Sequence, residues 1–198
     1  MTSRQARVAS RPAEIVREYA FEGVEHVAGV THDGHHVWAA TGSALLAFDP
    51  ASGATIRRVE QPCDAGTAFD GKHLWQIAEK RITKIDAASG RVLGSIPAPG
   101  SGCDSGLAWA EGSLWVGQHR DRRIHQIDPA TGAILRTIAS DRFVTGVTWV
   151  DGTVLERLEM PAGTGVSGLE SDGAGLFYCG GGRSGKVRAV RRPEKRPA

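Results

Sequence analysis

Asparagine is absent from the 198 residues. Its absence removes every Asn-x-Ser/Thr glycosylation acceptor and leaves Gly and Asp to supply the turns that need a positive φ. Cysteine is scarce. Three residues, an odd number, are too few for a disulfide framework, so reduced thiols and a cytoplasmic location are expected. The opening segment from Met1 to Ser10 lacks the apolar run of a secretion signal, and no stretch approaches a membrane span. Charge of one sign is also lacking, with a net charge of +2. Part of that surplus clusters at Arg188, Arg191, Arg192, Lys195 and Arg196 beside Pro193 and Pro197, which reads as a disordered basic tail over residues 193–198. A nucleic-acid partner would need a broad basic face or base-stacking aromatics, so none is expected, nor is a membrane.

What the chain has in quantity is glycine, 26 residues, in a repeated setting. Gly29-Val-Thr-His-Asp-Gly-His-His-Val-Trp38, Gly66-Thr-Ala-Phe-Asp-Gly-Lys-His-Leu-Trp75, Gly106-Leu-Ala-Trp-Ala-Glu-Gly-Ser-Leu-Trp115 and Gly168-Leu-Glu-Ser-Asp-Gly-Ala-Gly-Leu-Phe177 share one order of glycine, turn and aromatic. Repetition at about 40 residues specifies a stacked or circular array. The second half of each unit places short alternating apolar runs around an Asp-x-x-Ser/Thr-Gly turn. These are Leu45 to Phe48 and Thr55 to Val59 around Asp49–Gly53, Ile82 to Ile85 and Val92 to Ile96 around Asp86–Gly90, and Ile124 to Ile127 and Ile134 to Ile138 around Asp128–Gly132. Such turns join antiparallel strands, so each unit reads as a four-stranded propeller blade.

The ends complement one another. Glu14 to Ala20 reads as an outermost strand with nothing before it, and the last unit supplies three strands, ending with Val187 to Val190. Together they make one blade and close the ring. The expected fold is all-β, a five-bladed propeller over residues 14–192 after a flexible segment 1–13, with blades starting near residues 29, 66, 106, 146 and 168. The fourth blade is truncated. Spacings between the starts are 37, 40, 40 and 22 residues, and Gly146-Val-Thr-Trp-Val-Asp-Gly152 runs into Thr153–Glu159, which resembles a fourth strand. About 18 residues carrying the two middle strands are missing by comparison with the other repeats. A deletion explains the gap, or else a contraction compensated by self-association through the incomplete blade.

Blade geometry selects the candidate site residues. The loops before the repeat glycines converge on one mouth of the central channel, bringing His26, Asp64, Asp104, Thr145 and Ser167 toward a ligand. His26, Cys63 and Cys103 share one place in three consecutive units, and imidazole with thiolate suits zinc or another divalent metal. Buried packing of the cysteines and turn-capping by the aspartates are the structural alternatives. Gly180-Gly-Gly-Arg-Ser-Gly-Lys186 imitates a phosphate loop, but Val187 stands where the magnesium-binding Ser/Thr belongs, and the context is strand to strand. Trp38, Trp75, Trp115 and Phe177, and in the first strands Phe69, Trp109 and Trp149, read as filling between blades.

These repeats resemble the YVTN-like, quinoprotein-like propeller superfamily, which includes streptogramin lyases, gluconolactonase-like proteins and bacterial glutamine cyclotransferases. Gly168 to Gly182 followed by Lys186 to Val190 is similar to the cyclotransferase segment Gly-Leu-x-x-Asp-Gly, then Leu-Tyr-Glu-Ser-Thr-Gly, then a basic strand. Cys179 stands where that family has its glutamate, and Gly165-Val166-Ser167 replaces its Phe-Thr-Gln. The sequence therefore favours a propeller that binds a small ligand or a protein at the channel mouth, or one whose function the missing half blade has impaired. The alternative is a cyclotransferase-like, lyase-like or lactonase-like enzyme with a metal or thiol in the channel.

Overall fold

The computed structural model describes residues 9–140, 144–147 and 156–193. Among them the chain forms eighteen strands and no helix. In order these are β1 (Ala9–Pro12), β2 (Ile15–Ala20), β3 (Gly29–His32), β4 (Val37–Ala40), β5 (Gly42–Phe48), β6 (Thr55–Cys63), β7 (Thr67–Phe69), β8 (His73–Ala78) and β9 (Arg81–Asp86). There follow β10 (Val92–Pro97), β11 (Asp104–Ala110), β12 (Ser113–Gln118), β13 (Arg123–Ile127), β14 (Ile134–Ala139), β15 (Glu156–Glu159), β16 (Gly168–Ser171), β17 (Leu176–Gly180) and β18 (Lys186–Arg191).

Hairpin chemistry accounts for the meander. In blade 1 the Gly53 amide donates to the Asp49 carbonyl at 2.7 Å, Ser52 Oγ donates to the Asp49 carboxylate at 2.7 Å, and Gly53 takes φ 83°. Blade 2 repeats this at Asp86, and in blade 3 the Gly132 amide donates to the Asp128 carbonyl while the Asp128 carboxylate accepts the Ala130 and Thr131 amides. The Asp-Gly-x-x-x-Trp turn has its own logic. Asp33 accepts the amides of His35 and His36 at 2.9 and 2.7 Å and the Trp38 indole N–H at 2.7 Å. Asp70 does the same for Lys72, His73 and Trp75. Burial works against both carboxylates, yet these donors hold them below the usual carboxylate range. Gly and Asp do not supply every positive φ: Glu79, Lys80, Ser101, Glu111 and Arg122 adopt it as well. Glu79-Lys80 joins β8 to β9 and Glu111-Gly112 joins β11 to β12, two-residue hairpin loops in which the required twist overrides side-chain preference.

Four antiparallel sheets result, β3-β4-β5-β6, β7-β8-β9-β10, β11-β12-β13-β14 and β16-β17-β18-β2. The last is closed by the N-terminal strand, Val187 opposite Tyr19 and Arg188 opposite Glu18, as the sequence predicts. The blade count is a correction: among the described residues four complete blades are present and not five, because the chain between Gly146 and Gly168 is too short for four strands. The segment expected to be flexible also contains order. β1 pairs in parallel with β15, and the Ala13 amide continues the contact to the Glu159 carbonyl at 2.7 Å. Phe143, Trp149, the Asp151-Gly152 turn, Thr153–Leu155 and tail residues 194–198 lie outside the described residues.

Apolar packing lies between sheets. Trp38 packs with Leu74 and Ile85 of the next blade, and Trp75 packs with Leu107 and Leu114 of the one after. Phe177 departs from this pattern. It is half-buried beneath the Arg192 guanidinium, 5.8 Å from its ring centroid.

Candidate functional site

The first strands meet at the axis through glycine. A Cβ on Gly29 would stand 2.8 Å from Ala65 O, on Gly106 2.7 Å from Val147 N, on Gly146 3.0 Å from Leu169 N, and on Gly168 2.9 Å from Gly29 Cα. On Gly66 it would collide with Leu107 N. Each glycine thus touches the backbone of the next unit, and the circuit 29, 66, 106, 146, 168 returns to 29. The truncated unit keeps its place on the axis, and its one strand among the described residues is β15, paired with β1. The space enclosed, lined by these first strands, is too narrow to admit a water molecule. The centre is thus filled by backbone.

Of the residues expected at the mouth, His26 and Asp64 are exposed, whereas Asp104, Thr145 and Ser167 are half-buried. Ser167 is engaged structurally. Its hydroxyl donates to the Val27 carbonyl of the next blade and accepts the Gly182 amide at 3.1 Å. Ser105 likewise spans the seam between blade 3 and the truncated unit, its hydroxyl 3.0 Å from Gly117 O and 2.6 Å from Val144 O.

The metal ring expected from His26, Cys63 and Cys103 is not formed, and among the described residues no group of three His, Cys, Asp or Glu side chains is placed to hold a metal. Equal distance from a glycine along the chain does not mean equal position in space. Cys63 ends the outer strand β6, is fully buried, and donates its thiol to Ala44 O at 2.9 Å, while Cys103 sits in an exposed loop. Burial pushes the Cys63 thiol up, and it pushes Cys179 up to about 11. At neutral pH an aromatic disulfide reagent is therefore expected to titrate Cys103 rapidly in the folded chain and all three thiols only in denaturant. Rapid modification of Cys63 or Cys179 in the native chain would contradict their burial.

Sequence reasoning overlooked a polar cluster behind Asp104. Gln118 and His125 are buried at 3% and 5% exposure in blade 3. The Gln118 carbonyl accepts from the Gly100 amide at 3.1 Å, and its amide donates to His125 Nε2 and to Asp121, both at 3.2 Å. That leaves His125 Nδ1 as the donor to Thr137 Oγ1, 2.8 Å away. Burial, followed by the charge of Arg123, lowers the His125 pKa, which favours the neutral ring. Burial raises the Asp104 pKa against the hydrogen bonds from Gly100 at 3.0 and 3.1 Å. The available signal was a departure from the repeat: Gln118 occupies the place held by Thr41, Ala78 and Gly181 in the other blades.

The phosphate-loop imitation has no free cradle. Amides of Gly181, Gly182, Ser184 and Gly185 are donated to Lys186 O, Ser167 Oγ, Gly181 O and Gly182 O.

A chain of the mitotic checkpoint complex is similar in structure over 85% of this chain and 77% of its own, at 15% identity and a TM-score of 0.51. The WD40 repeats of RRP9 align over 92% of this chain and 52% of theirs, at 16% identity and a TM-score of 0.49. The glutaminyl cyclase of Myxococcus xanthus aligns over 93% and 97%, at 16% identity and a TM-score of 0.42. This chain spans about half the length of the RRP9 structure. No protein family and no curated protein matches it.

Proposed function

The fold is a β-propeller, and we propose that this chain is a binding protein whose ligand, a small polar molecule or a protein segment, docks at the mouth formed by the loops before the glycine ring. The observation that carries this reading is the Asp104, Gln118, His125 cluster. Gln118 stands where blades 1 and 2 hold the smaller Thr41 and Ala78, and the network it joins with Asp104 and His125 fixes side chains at one end of blade 3. Asp104, half-buried at the start of β11, is the member of the cluster offered to a ligand, and we take exposed Asp64 and His26 with Thr145 and Ser167 as the rest of the rim. We assign the repeat style to the YVTN-like group on the strength of its two turn motifs. Cys179, at the place of the cyclotransferase glutamate, is buried with its thiol protonated at neutral pH and offers neither a carboxylate nor a thiolate for that reaction.

The test is a thermal-shift screen of polar small molecules and peptides. A true ligand at a hundredfold excess over its Kd stabilises the wild-type chain by about 2.7 kcal/mol. That stabilisation is expected to vanish in Gln118→Ala and Asp104→Ala. A ligand whose effect survives both substitutions would place binding elsewhere and overturn the assignment.

A further inference from the structure

Each Asp-x-x-Ser-Gly turn of blades 1 and 2 also docks on the outer strand of the blade before it. Against β2, Arg17 donates to the carbonyls of Pro50 at 3.2 Å, Ala51 and Ser52 at 2.9 Å, and the Tyr19 ring stands 3.5 Å from where a Gly53 Cβ would be. Against β6, Arg57 donates to Ala87 at 3.1 Å and to Ala88, and Val59 lies 3.1 Å from a Gly90 Cβ position. Each socket therefore consists of a guanidinium for consecutive turn carbonyls and, two residues later, an apolar side chain under the turn glycine. On β10 the arginine's place is taken by Gly94, and the blade 3 turn rests on Pro97, next to buried Ile96.

β14 carries the same pair at the same spacing, Arg136 and Ile138. The next turn in the series is the one the chain lacks. Arg136 is exposed and makes no hydrogen bond or ion pair with a described residue, and Ile138 is only half-buried, where Tyr19, Val59 and Ile96 are 5%, 8% and 7% exposed. We infer that this outer face of blade 3 is an acceptor for a β-hairpin carrying an Asp-x-x-Ser/Thr-Gly turn on another protein. The occupied sockets define the occupant: backbone carbonyls turned toward the guanidinium, and a turn glycine at positive φ, 83° at Gly53 and 75° at Gly90, seated against the apolar side chain. A second copy of this chain is a poor source. Its turns at Asp49 and Asp86 already hold Arg17 and Arg57, and its turn at Asp128 is seated on Pro97. This inference concerns the outer rim and is independent of the mouth.

The experiment titrates a cyclic peptide copying Leu45–Val59 into the full chain, followed by fluorescence anisotropy. Saturable binding is expected, weakened at least tenfold by Arg136→Ala, less by Arg136→Lys, and abolished when the peptide carries Val at the position of Gly53. Arg136 is exposed, so both variants are expected to unfold at the wild-type midpoint, which separates loss of binding from loss of fold. Absence of saturable binding, or equal binding by Arg136→Ala, would overturn the inference. So would a wild-type dimer that Arg136→Ala converts to monomer, since the socket would then belong to a second copy.

Discussion

Gly66→Val is expected to destabilise the chain by about 3 kcal/mol or more, at the upper end of what overpacking costs. The added Cβ would stand 2.7 Å from Gly106 C and 2.9 Å from Ser105 O, as well as against Leu107 N. All three are backbone atoms of the next blade, so no side chain can rotate away, and the ring must open at that seam. Gly66 does not have a positive φ, so the penalty is one of space alone. Gly94→Ala is the control. Its Cβ would meet nothing within 4 Å, and alanine in a strand is favoured over glycine by about 0.5–1 kcal/mol. Urea unfolding of the two variants measures the difference. A Gly66→Val midpoint close to wild type would mean that the axis is not closed by glycine contact.

Trp75→Ala is expected to cost about 3–5 kcal/mol. The side chain is 3% exposed between blades 2 and 3, with its ring stacked on Trp109 at 6.2 Å and 10°, the Lys84 ammonium 5.0 Å from its centroid, and its indole N–H on Asp70 at 2.8 Å. Removal empties an inter-blade seam and also takes one of the two donors from Asp70 Oδ2, leaving only His73 Nδ1 at 3.1 Å, so the loss exceeds that of the apolar area alone. Trp75→Phe keeps most of the area and loses the hydrogen bond. It is expected to fall between alanine and wild type in thermal unfolding. Equal stability of Trp75→Phe and wild type would show that the Asp70 contact contributes nothing.

The strands were legible in the sequence because their signals are local. Ile82 to Ile85 and Val92 to Ile96 alternate around Asp86–Gly90, and the structure extends each run by only a residue or so. The closing role of Glu14 to Ala20 was legible for the same reason, since one strand was missing at one end and unaccompanied at the other. The candidate site was less so. Cys63 and Cys103 match in register, yet one ends a buried outer strand and the other lies in a loop, and register along a chain does not determine the path of the chain.

By itself the sequence determined the meander, the turns and the glycine at each first strand, since these depend on φ, alternation and side-chain capping within a few residues. Only the tertiary structure decided that four blades form, that β1 lies along β15, that the axis closes on backbone, and that Gln118 and His125 meet behind Asp104. Those outcomes rest on contacts between blades, where van der Waals exclusion and burial act across distances in sequence that no repeat pattern records.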